Sequence, residues 1–314
     1  MAAIGNTELS TTYQKKTQKE HIKDAPDTYV GAIEPDNVKN WSFNNEGHLT
    51  FHNYTWTPGL YKIFDEGIVN CRDHFVRLRE KIRDKQKNII PVTMIDVAVN
   101  KETGIITLMN DGNGIDIAKH PEHKIWIPEM IFGHLMTSTN YKKSEKKIVG
   151  GKNGFGVKLI FIYSKWAKIE TVDHIRKKKY VQEFKNNLDI LEKPKITKAT
   201  STKPYVKISF LPDYERFGAD GITDDMFNLF KKRTFDIAAV TDKSVKVRFN
   251  HQMVPVRSLE QYINLHIGEK SETKRVFETS NARWEYAVCL SPVDEFTQVS
   301  FVNGVYTGKG GKHV

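Results

Sequence analysis

Residues 148–159 read Ile148-Val149-Gly150-Gly151-Lys152-Asn153-Gly154-Phe155-Gly156-Val157-Lys158-Leu159. Four glycines in seven positions disfavour a regular helix or strand, because each costs roughly 1 kcal/mol there relative to alanine. They let the backbone approach a ligand closely, and the apolar run after them predicts a buried element. Such a turn presents N–H groups that suit phosphate, and its lysines add positive charge. A flexible surface loop is the alternative interpretation, because glycine spacing often matches by accident.

Composition and charge predict a folded, basic protein. The 314 residues are 39% hydrophobic and include 17 Phe and 12 Tyr, and the formal net charge of +10 favours a polyanionic partner such as DNA. Cys71 and Cys289 fit no metal-binding spacing, so we expect free thiols and a reducing, intracellular compartment. It would be the nucleus for a cellular eukaryotic source, and a viral source stays open. No run approaches the ~20 apolar residues needed to cross a bilayer, so no membrane partner is expected.

Hydrophobic periodicity predicts an α+β fold. Thr57 is a plausible N-cap with Pro58 at the first helical position, and apolar residues recur at helical spacing to about Lys85. Residues 28–31 have strand or turn character. Other helices are predicted at 125–135, 225–239 and 259–266. Strands are predicted at 49–54, 92–99, 105–109, 166–172, 180–184, 206–210, 245–249, 284–290 and 298–302. This order predicts a layer of helices on one face of a mixed sheet.

Two domains are predicted, because the pattern of elements restarts after Arg257. Residues 1–257 would form the first domain, with residues 1–27 as an N-terminal arm. Residues 258–314 would form the start of a second domain, and we expect it to be truncated because it is small for an independent domain.

Polar residues share one face of the long helix. Glu66, Asn70 and Asp73 are spaced i, i+4 and i+7, so they lie on the same side and away from the apolar stripe. The carboxylate could orient or deprotonate a water molecule, and the amide oxygen could ligate Mg²⁺. A solvated helix face is the alternative.

The sequence Asn110-Asp111-Gly112-Asn113-Gly114-Ile115 is predicted to break the strand before it. It could be an ordinary turn, for which Asn-Asp-Gly is common. Alternatively, its glycines keep the wall of a pocket thin while Asn110 or Asp111 hydrogen-bonds the edge of a base.

These three motifs, in this order, resemble the ATP site of the GHKL superfamily. Four further segments resemble the ATPase region of eukaryote-type type IIA DNA topoisomerases: Thr12-Tyr13-Gln14-Lys15-Lys16-Thr17-Gln18-Lys19-Glu20-His21-Ile22, Pro26-Asp27-Thr28-Tyr29-Val30-Gly31, Phe132-Gly133-His134-Leu135-Met136-Thr137-Ser138-Thr139-Asn140-Tyr141, and Ser300-Phe301-Val302-Asn303-Gly304 with the following Lys309-Gly310-Gly311-Lys312-His313-Val314. The resemblance spans nearly the whole chain. It implies a GHKL (Bergerat) two-layer sandwich of helices on a mixed β-sheet, followed by the start of a transducer domain of the ribosomal protein S5 domain 2-like type.

The resemblance also implies roles for individual residues. Glu66 corresponds to the general base that activates the hydrolytic water, Asn70 to the Mg²⁺ ligand and Asn110 to the adenine end of the pocket. Tyr13 lies on the arm that reaches the nucleotide of the partner protomer. The ribose and phosphate segment is Ser138, Thr139 and Asn140, and the lid that holds the β- and γ-phosphates is Gly151, Lys152, Asn153, Gly154, Phe155, Gly156, Val157 and Lys158. One departure is Asp73-His74, where the family commonly has Asp-Asn.

The function implied by the resemblance is an ATP-operated gate. Binding of Mg²⁺ and ATP would close the lid and dimerise two protomers, which would capture a DNA segment for double-strand passage, relaxation and decatenation by the full enzyme. The family places a further lysine against the γ-phosphate, on a loop that would follow Val314. We therefore expect this chain alone to bind ATP with weak or absent hydrolysis. Alternatives are a non-catalytic nucleotide-sensing or DNA-binding module and a chaperone-type GHKL ATPase.

Four basic clusters could steer DNA or could be solvated faces. They are Lys142-Lys143, Lys146-Lys147, Arg176-Lys177-Lys178-Lys179 and Lys231-Lys232-Arg233.

Overall fold

The computed structural model describes residues 15–135, 149–150, 156–281, 283–308 and 310. The helices of this part of the chain are α1 (Gln18–Asp24), α2 (Pro26–Tyr29), α3 (Pro58–Arg83), α4 (Ile127–Gly133), α5 (Gly156–Ile162), α6 (Asp224–Ala239) and α7 (Leu259–Ile267), with a 3₁₀ turn at Tyr214–Phe217. None of these helices is both long and apolar enough to span a lipid bilayer. Both cysteines are free thiols, as the sequence predicts.

The strands of the described residues form one large sheet and three hairpins. The large sheet contains β3 (Met94–Val99), β4 (Ile106–Asp111), β5 (Ser164–Asp173), β6 (Lys178–Lys185), β7 (Ile190–Leu191), β8 (Lys195–Lys198), β9 (Tyr205–Pro212), β10 (Lys246–Phe249) and β11 (Gln252–Met253). The hairpins pair β1 (Asp36–Phe43) with β2 (Leu49–Trp56), β12 (Arg275–Asn281) with β13 (Trp284–Cys289), and β14 (Phe301–Val302) with β15 (Val305–Tyr306).

The large sheet is mixed, as predicted. Its strand order is β11-β10-β3-β4-β9-β5-β6-β7, and β8 pairs with β6. Strands β10 and β3 are parallel, whereas the other neighbours are antiparallel. Strand β4 therefore lies near the middle of the sheet, between β3 and β9. Residues 115–117, which follow it, pass next to the end of β5.

The core lies between this sheet and the helices α3, α5 and α6. Alternate residues of the central strands are buried, which is the pattern of a sheet covered on one face. On the helical side, the rings of Phe64 in α3 and Phe230 in α6 stack with centroids 4.4 Å apart. Gly67 of α3 has no room for a side chain, because a Cβ would collide with Leu108 of β4. Helix α3 is thus pressed closely onto the centre of the sheet.

Several local features differ from the sequence prediction, and strands β7, β8, β11 and β12 were not predicted. Residues 28–31 form no strand: Thr28 and Tyr29 belong to the short helix α2, which begins at Pro26, and Val30 follows in a turn. Strand β1 was not predicted, because its sequence Asp36-Asn37-Val38-Lys39-Asn40 is polar, and it forms by pairing along its full length with β2. Strand β4 does not break at Asn110 but continues through Asp111, because both residues still pair with β9. The Asp111 carboxylate also accepts hydrogen bonds from the Thr93 and Met94 N–H groups (2.6 and 2.8 Å).

The residues after 257 contact the first part of the chain through α7, through the turn between β14 and β15, and through the ion pair of Glu295 with Lys39 (2.7 Å). Tyr262 of α7 is buried, and its hydroxyl donates to Asp236 of α6 (2.5 Å). The turn between β14 and β15 contacts α3 and α6. Hairpin β12–β13, by contrast, exposes the cross-strand pair Val276 and Val288. The domain boundary at residue 257 stays a prediction.

Candidate functional site

Glu66 lies on the half-buried face of α3 with two neighbours one helical turn away. Its carboxylate pairs with the Lys62 ammonium at 2.6 Å. Burial acts to lower the pKa of Lys62, but the ion pair with Glu66 outweighs it and raises that pKa above its usual value. The Asn70 amide nitrogen donates to the Glu66 backbone carbonyl (2.5 Å). Sequence reasoning missed Lys62, although its i, i+4 spacing to Glu66 was a usable signal.

The end of the glycine-rich segment lies directly against Glu66. Gly156 begins α5, and any Cβ at this position would collide with the Glu66 carboxylate. Helix α5 is itself held against α3, because the space beside Gly67 is also bounded by Ile160. Two motifs that are far apart in the sequence therefore share one place in the fold.

Lys158 follows in the first turn of α5 and is buried, with 2% of its surface exposed. Burial lowers the pKa of its ammonium to about 8. A lysine near this pKa is partly neutral at neutral to basic pH and gains charge when an anion approaches.

Asn110 and Asp111 have different environments at the end of β4. Asp111 uses both carboxylate oxygens to hold the start of β3, since Thr93 Oγ1 also donates to it (2.5 Å). Asn110 is buried, and its amide nitrogen donates to the Asp111 carbonyl (2.8 Å). Of the two residues that could read a base edge, the geometry favours Asn110, because the Asp111 carboxylate is engaged by backbone.

The turn after β4 is fixed in a narrow space. Gly112 has φ +94° and lies against Val92, and Gly114 has no room for a Cβ because of the Val172 carbonyl on β5. The Ile115 N–H donates to Thr171 Oγ1 (2.9 Å). The backbone here approaches β5 as closely as a glycine allows, as expected for a thin wall.

Asp73 and His74 connect α3 to the two glycine motifs. Asp73 is fully buried and accepts a hydrogen bond from the N–H of Gly150, the first glycine of the glycine-rich segment (3.0 Å). His74 Nε2 donates to the Asn113 carbonyl in the turn after β4 (2.7 Å). Burial is the main cause that lowers the pKa of His74 to about 4, so the ring is neutral near pH 7. His74 at this position is therefore a neutral donor that ties α3 to the turn.

The structure thus places Gly156 against the Glu66 carboxylate, with Asn70 one turn further along α3. Lys158 follows two residues after Gly156 in α5, and Asn110 lies near the end of β4. Val157 is half-buried in the first turn of α5. The other predicted site residues lie outside the described residues, namely Tyr13, Ser138, Thr139, Asn140, Gly151, Lys152, Asn153, Gly154 and Phe155.

The basic cluster at 231–233 is not the surface patch that the sequence suggested. Arg233 is fully buried and pairs with Asp65 (2.6 Å), and Lys232 is buried and pairs with Asp236 (3.1 Å). Only Lys231 faces outward to some extent. Sequence reasoning could not see this burial, because Asp65 is 168 residues away in the chain.

Curated relatives match almost the whole chain, although no family model matches it. The protein named DNA topoisomerase 2 of Acanthamoeba polyphaga mimivirus is 44% identical over 314 residues, 98% of this chain and 24% of that protein. DNA topoisomerase 2 of Arabidopsis thaliana is 43% identical over 319 aligned positions, 100% of this chain and 21% of that protein. The chain therefore spans about a quarter or less of the length of these relatives.

Solved structures show the same correspondence for the fold. The ATPase region of Saccharomyces cerevisiae topoisomerase II superposes with a TM-score of 0.86 at 38% identity, covering 96% of this chain and 76% of that one. The ATPase and transducer domains of DNA topoisomerase II from Balamuthia mandrillaris give a TM-score of 0.84 at 35% identity, covering 95% and 73%. The predicted α+β fold is confirmed. The chain belongs to the DNA topoisomerase II family and matches its ATPase region.

Proposed function

We propose that this chain is the ATP-operated gate of a type II DNA topoisomerase. The observation that carries the proposal is the contact between the Glu66 carboxylate and Gly156, at the end of the glycine-rich segment. A base and a phosphate-binding turn are both needed for hydrolysis of a nucleoside triphosphate, and here they adjoin. Relatives and solved neighbours named topoisomerase II support the same function and disfavour a chaperone-type ATPase.

Glu66 is the proposed general base. Its carboxylate would orient a water molecule towards the γ-phosphate and accept its proton. Lys62 holds the carboxylate through the 2.6 Å ion pair, which fixes its direction along α3. Gly156 leaves space for both the carboxylate and the substrate, because it places no side chain between them.

Asn70 is the proposed ligand for Mg²⁺, and its geometry fits that role. The amide nitrogen faces the helix backbone by donating to the Glu66 carbonyl, so the oxygen is the end left for a cation. A carboxamide oxygen is a suitable ligand for this hard cation and adds no charge. When bound, Mg²⁺ would offset negative charge on the phosphates.

The remaining proposed contacts lie at the two ends of the cleft, one for the adenine and one for the phosphates. Asn110 would hydrogen-bond the adenine, and Lys158 with the glycine-rich segment would hold the β- and γ-phosphates. Roles for the residues outside the described ranges rest on the family resemblance alone. They are Tyr13 for the nucleotide of the partner protomer, Ser138, Thr139 and Asn140 for ribose and phosphate, and Gly151, Lys152, Asn153, Gly154 and Phe155 for the lid.

DNA is the proposed partner of the full enzyme, and a second protomer is the proposed partner of this chain. If ATP binds the closed dimer better than the open monomer, it shifts the equilibrium towards the dimer. The mass of the protein in solution should therefore double when a non-hydrolysable ATP analogue and Mg²⁺ are added. Light scattering measures this directly, with the analogue plus a chelator as the control. A mass that the analogue leaves unchanged would count against the gate.

Nucleotide affinity should fall as the pH rises above about 8. The nucleotide-free Lys158 loses its proton near that pH, whereas a bound triphosphate favours the protonated form. Binding above pH 8 therefore requires proton uptake, which weakens it by up to about tenfold per pH unit. Affinity for a non-hydrolysable analogue, measured at constant ionic strength from pH 7 to pH 9.5, checks this. The variant Lys158→Met should bind more weakly at pH 7 and lose most of the slope, and an equal slope in both proteins would refute the role.

A further inference from the structure

The turn between β14 and β15 accepts hydrogen bonds from side chains of α3 and α6 beside the candidate site. Arg72 of α3 donates through Nη1 to the Asn303 carbonyl (2.9 Å), and Arg233 of α6 donates through Nη2 to the Gly304 carbonyl (2.7 Å). Gly304 has φ +81°, and a Cβ there would collide with the Arg72 side chain. The turn is therefore as close to α3 as its backbone permits.

Each guanidinium group also donates a hydrogen bond, through Nε, to a group outside the turn. Arg72 Nε donates to the Val240 carbonyl at the end of α6 (3.2 Å), and Arg233 Nε donates to the Asp65 carboxylate (2.6 Å). The Arg233 side chain is fully buried, and 15% of the Arg72 side chain is exposed. Hydrogen bonds from a buried cation are stronger than neutral ones, so the two arginines hold the turn in one position.

The face of α3 that meets this turn adjoins the face that carries the candidate base. Asp65, Val69 and Arg72 are spaced i, i+4 and i+7 and lie on one side of the helix. Glu66 and Asn70 each follow a member of that set by one residue, which is about 100° around the helix. A rotation or shift of α3 at the turn would therefore move the Glu66 carboxylate as well.

Gly150 contacts both sides of α3, the side that meets the turn and the side that carries the candidate base. Its N–H donates to Asp73 of α3, and a Cβ on it would lie 2.9 Å from Val69 and 2.7 Å from Val305 of β15. Val305 thus forms one wall of the space that the backbone at Gly150 occupies. The hairpin contacts both the helix of the base and the first glycine of the glycine-rich segment.

We propose that Arg72 and Arg233 are positioning residues for the nucleotide site and act through the turn of Asn303 and Gly304. This inference rests on the proposed function, because it assumes that nucleotide binds beside Glu66. The hairpin sets the position of α3 and of Gly150, and a bound nucleotide in turn stabilises the hairpin. This reciprocity follows from linkage, since two sites that bias one arrangement must affect each other equally.

The test compares Arg72→Met with Arg79→Met, a control on the same helix whose side chain is 63% exposed. Affinity for a non-hydrolysable ATP analogue with Mg²⁺ should fall about tenfold in Arg72→Met and stay unchanged in Arg79→Met. Hydrogen–deuterium exchange of residues 301–306 adds a readout that general destabilisation would not give. Saturating analogue should slow exchange there in the wild type and in Arg79→Met, but not in Arg72→Met.

Val305→Ala keeps both arginines and serves as the second variant if Arg72→Met does not fold. It should weaken analogue binding in the same direction, because it removes the wall against Gly150. The inference is overturned if the wild type binds the analogue without slower exchange at residues 301–306, or if Arg72→Met and Val305→Ala both bind like the wild type. If the wild type binds no analogue, the proposed function itself fails and the inference fails with it.

Discussion

Replacing Glu66 with glutamine in the full-length protein should lower ATP turnover by about 10²- to 10⁴-fold, the range that a general base contributes. Glutamine keeps the shape of the side chain and its place against Gly156, but it cannot accept the proton from water. Affinity for the nucleotide should therefore change little. Steady-state hydrolysis and analogue binding, measured on the same preparation, separate the two effects.

A matched control for this substitution lies on the same helix. Glu80 is a half-buried carboxylate of α3 that pairs with Arg83, away from the candidate site. Glu80→Gln should leave turnover unchanged. If Glu66→Gln also hydrolyses ATP at the wild-type rate, the carboxylate is not the base, and the non-catalytic nucleotide-sensing module becomes the better account.

Replacing Gly156 with valine should weaken nucleotide binding by about 10- to 100-fold. A Cβ at this position would overlap the Glu66 carboxylate, far inside van der Waals contact, so either α5 or Glu66 must move. Overpacking of this kind costs about 1–3 kcal/mol. If the protein relieves the strain by moving groups of the cleft, nucleotide binding must restore their positions, and the binding free energy weakens by the same amount. Turnover should be lost as well, because the base no longer points at the substrate.

Ile162→Val provides the control for general damage to α5. It changes the last residue of the same helix, and it removes volume rather than adding it next to Glu66. Its effect on analogue affinity should be within about twofold. Comparable losses in Ile162→Val and Gly156→Val would show that binding responds to any change in α5 rather than to the contact with Glu66.

The sequence was sufficient for the features that depend on local signals. Helix α3 begins at Pro58 as predicted, because proline at the first helical position and the apolar spacing are both local. The glycine-rich segment leads into α5 for the same reason, since the apolar run starts where the glycines end. The central strands of the mixed sheet followed from alternating or β-branched residues. The polar β1, which pairs with β2 outside that sheet, was not predicted.

The sequence was insufficient where a residue's role depends on a distant partner. Lys232 and Arg233 look like part of a surface cluster, yet Asp65 and Asp236 bury them in ion pairs. His74 looks like a departure from the family pattern, and only the fold shows the Asn113 carbonyl that accepts its hydrogen bond. Burial and long-range contacts decide these cases, and neither is visible in a local pattern.

The most direct test of the account is a titration of wild type, Glu66→Gln and Gly156→Val with a non-hydrolysable ATP analogue and Mg²⁺. The central claim is that Glu66 and the glycine-rich segment form one nucleotide-binding cleft. It predicts saturable binding with nearly equal affinity for the wild type and Glu66→Gln, and affinity about 10- to 100-fold lower for Gly156→Val. Equal affinity in all three proteins, or no binding by the wild type, would contradict it.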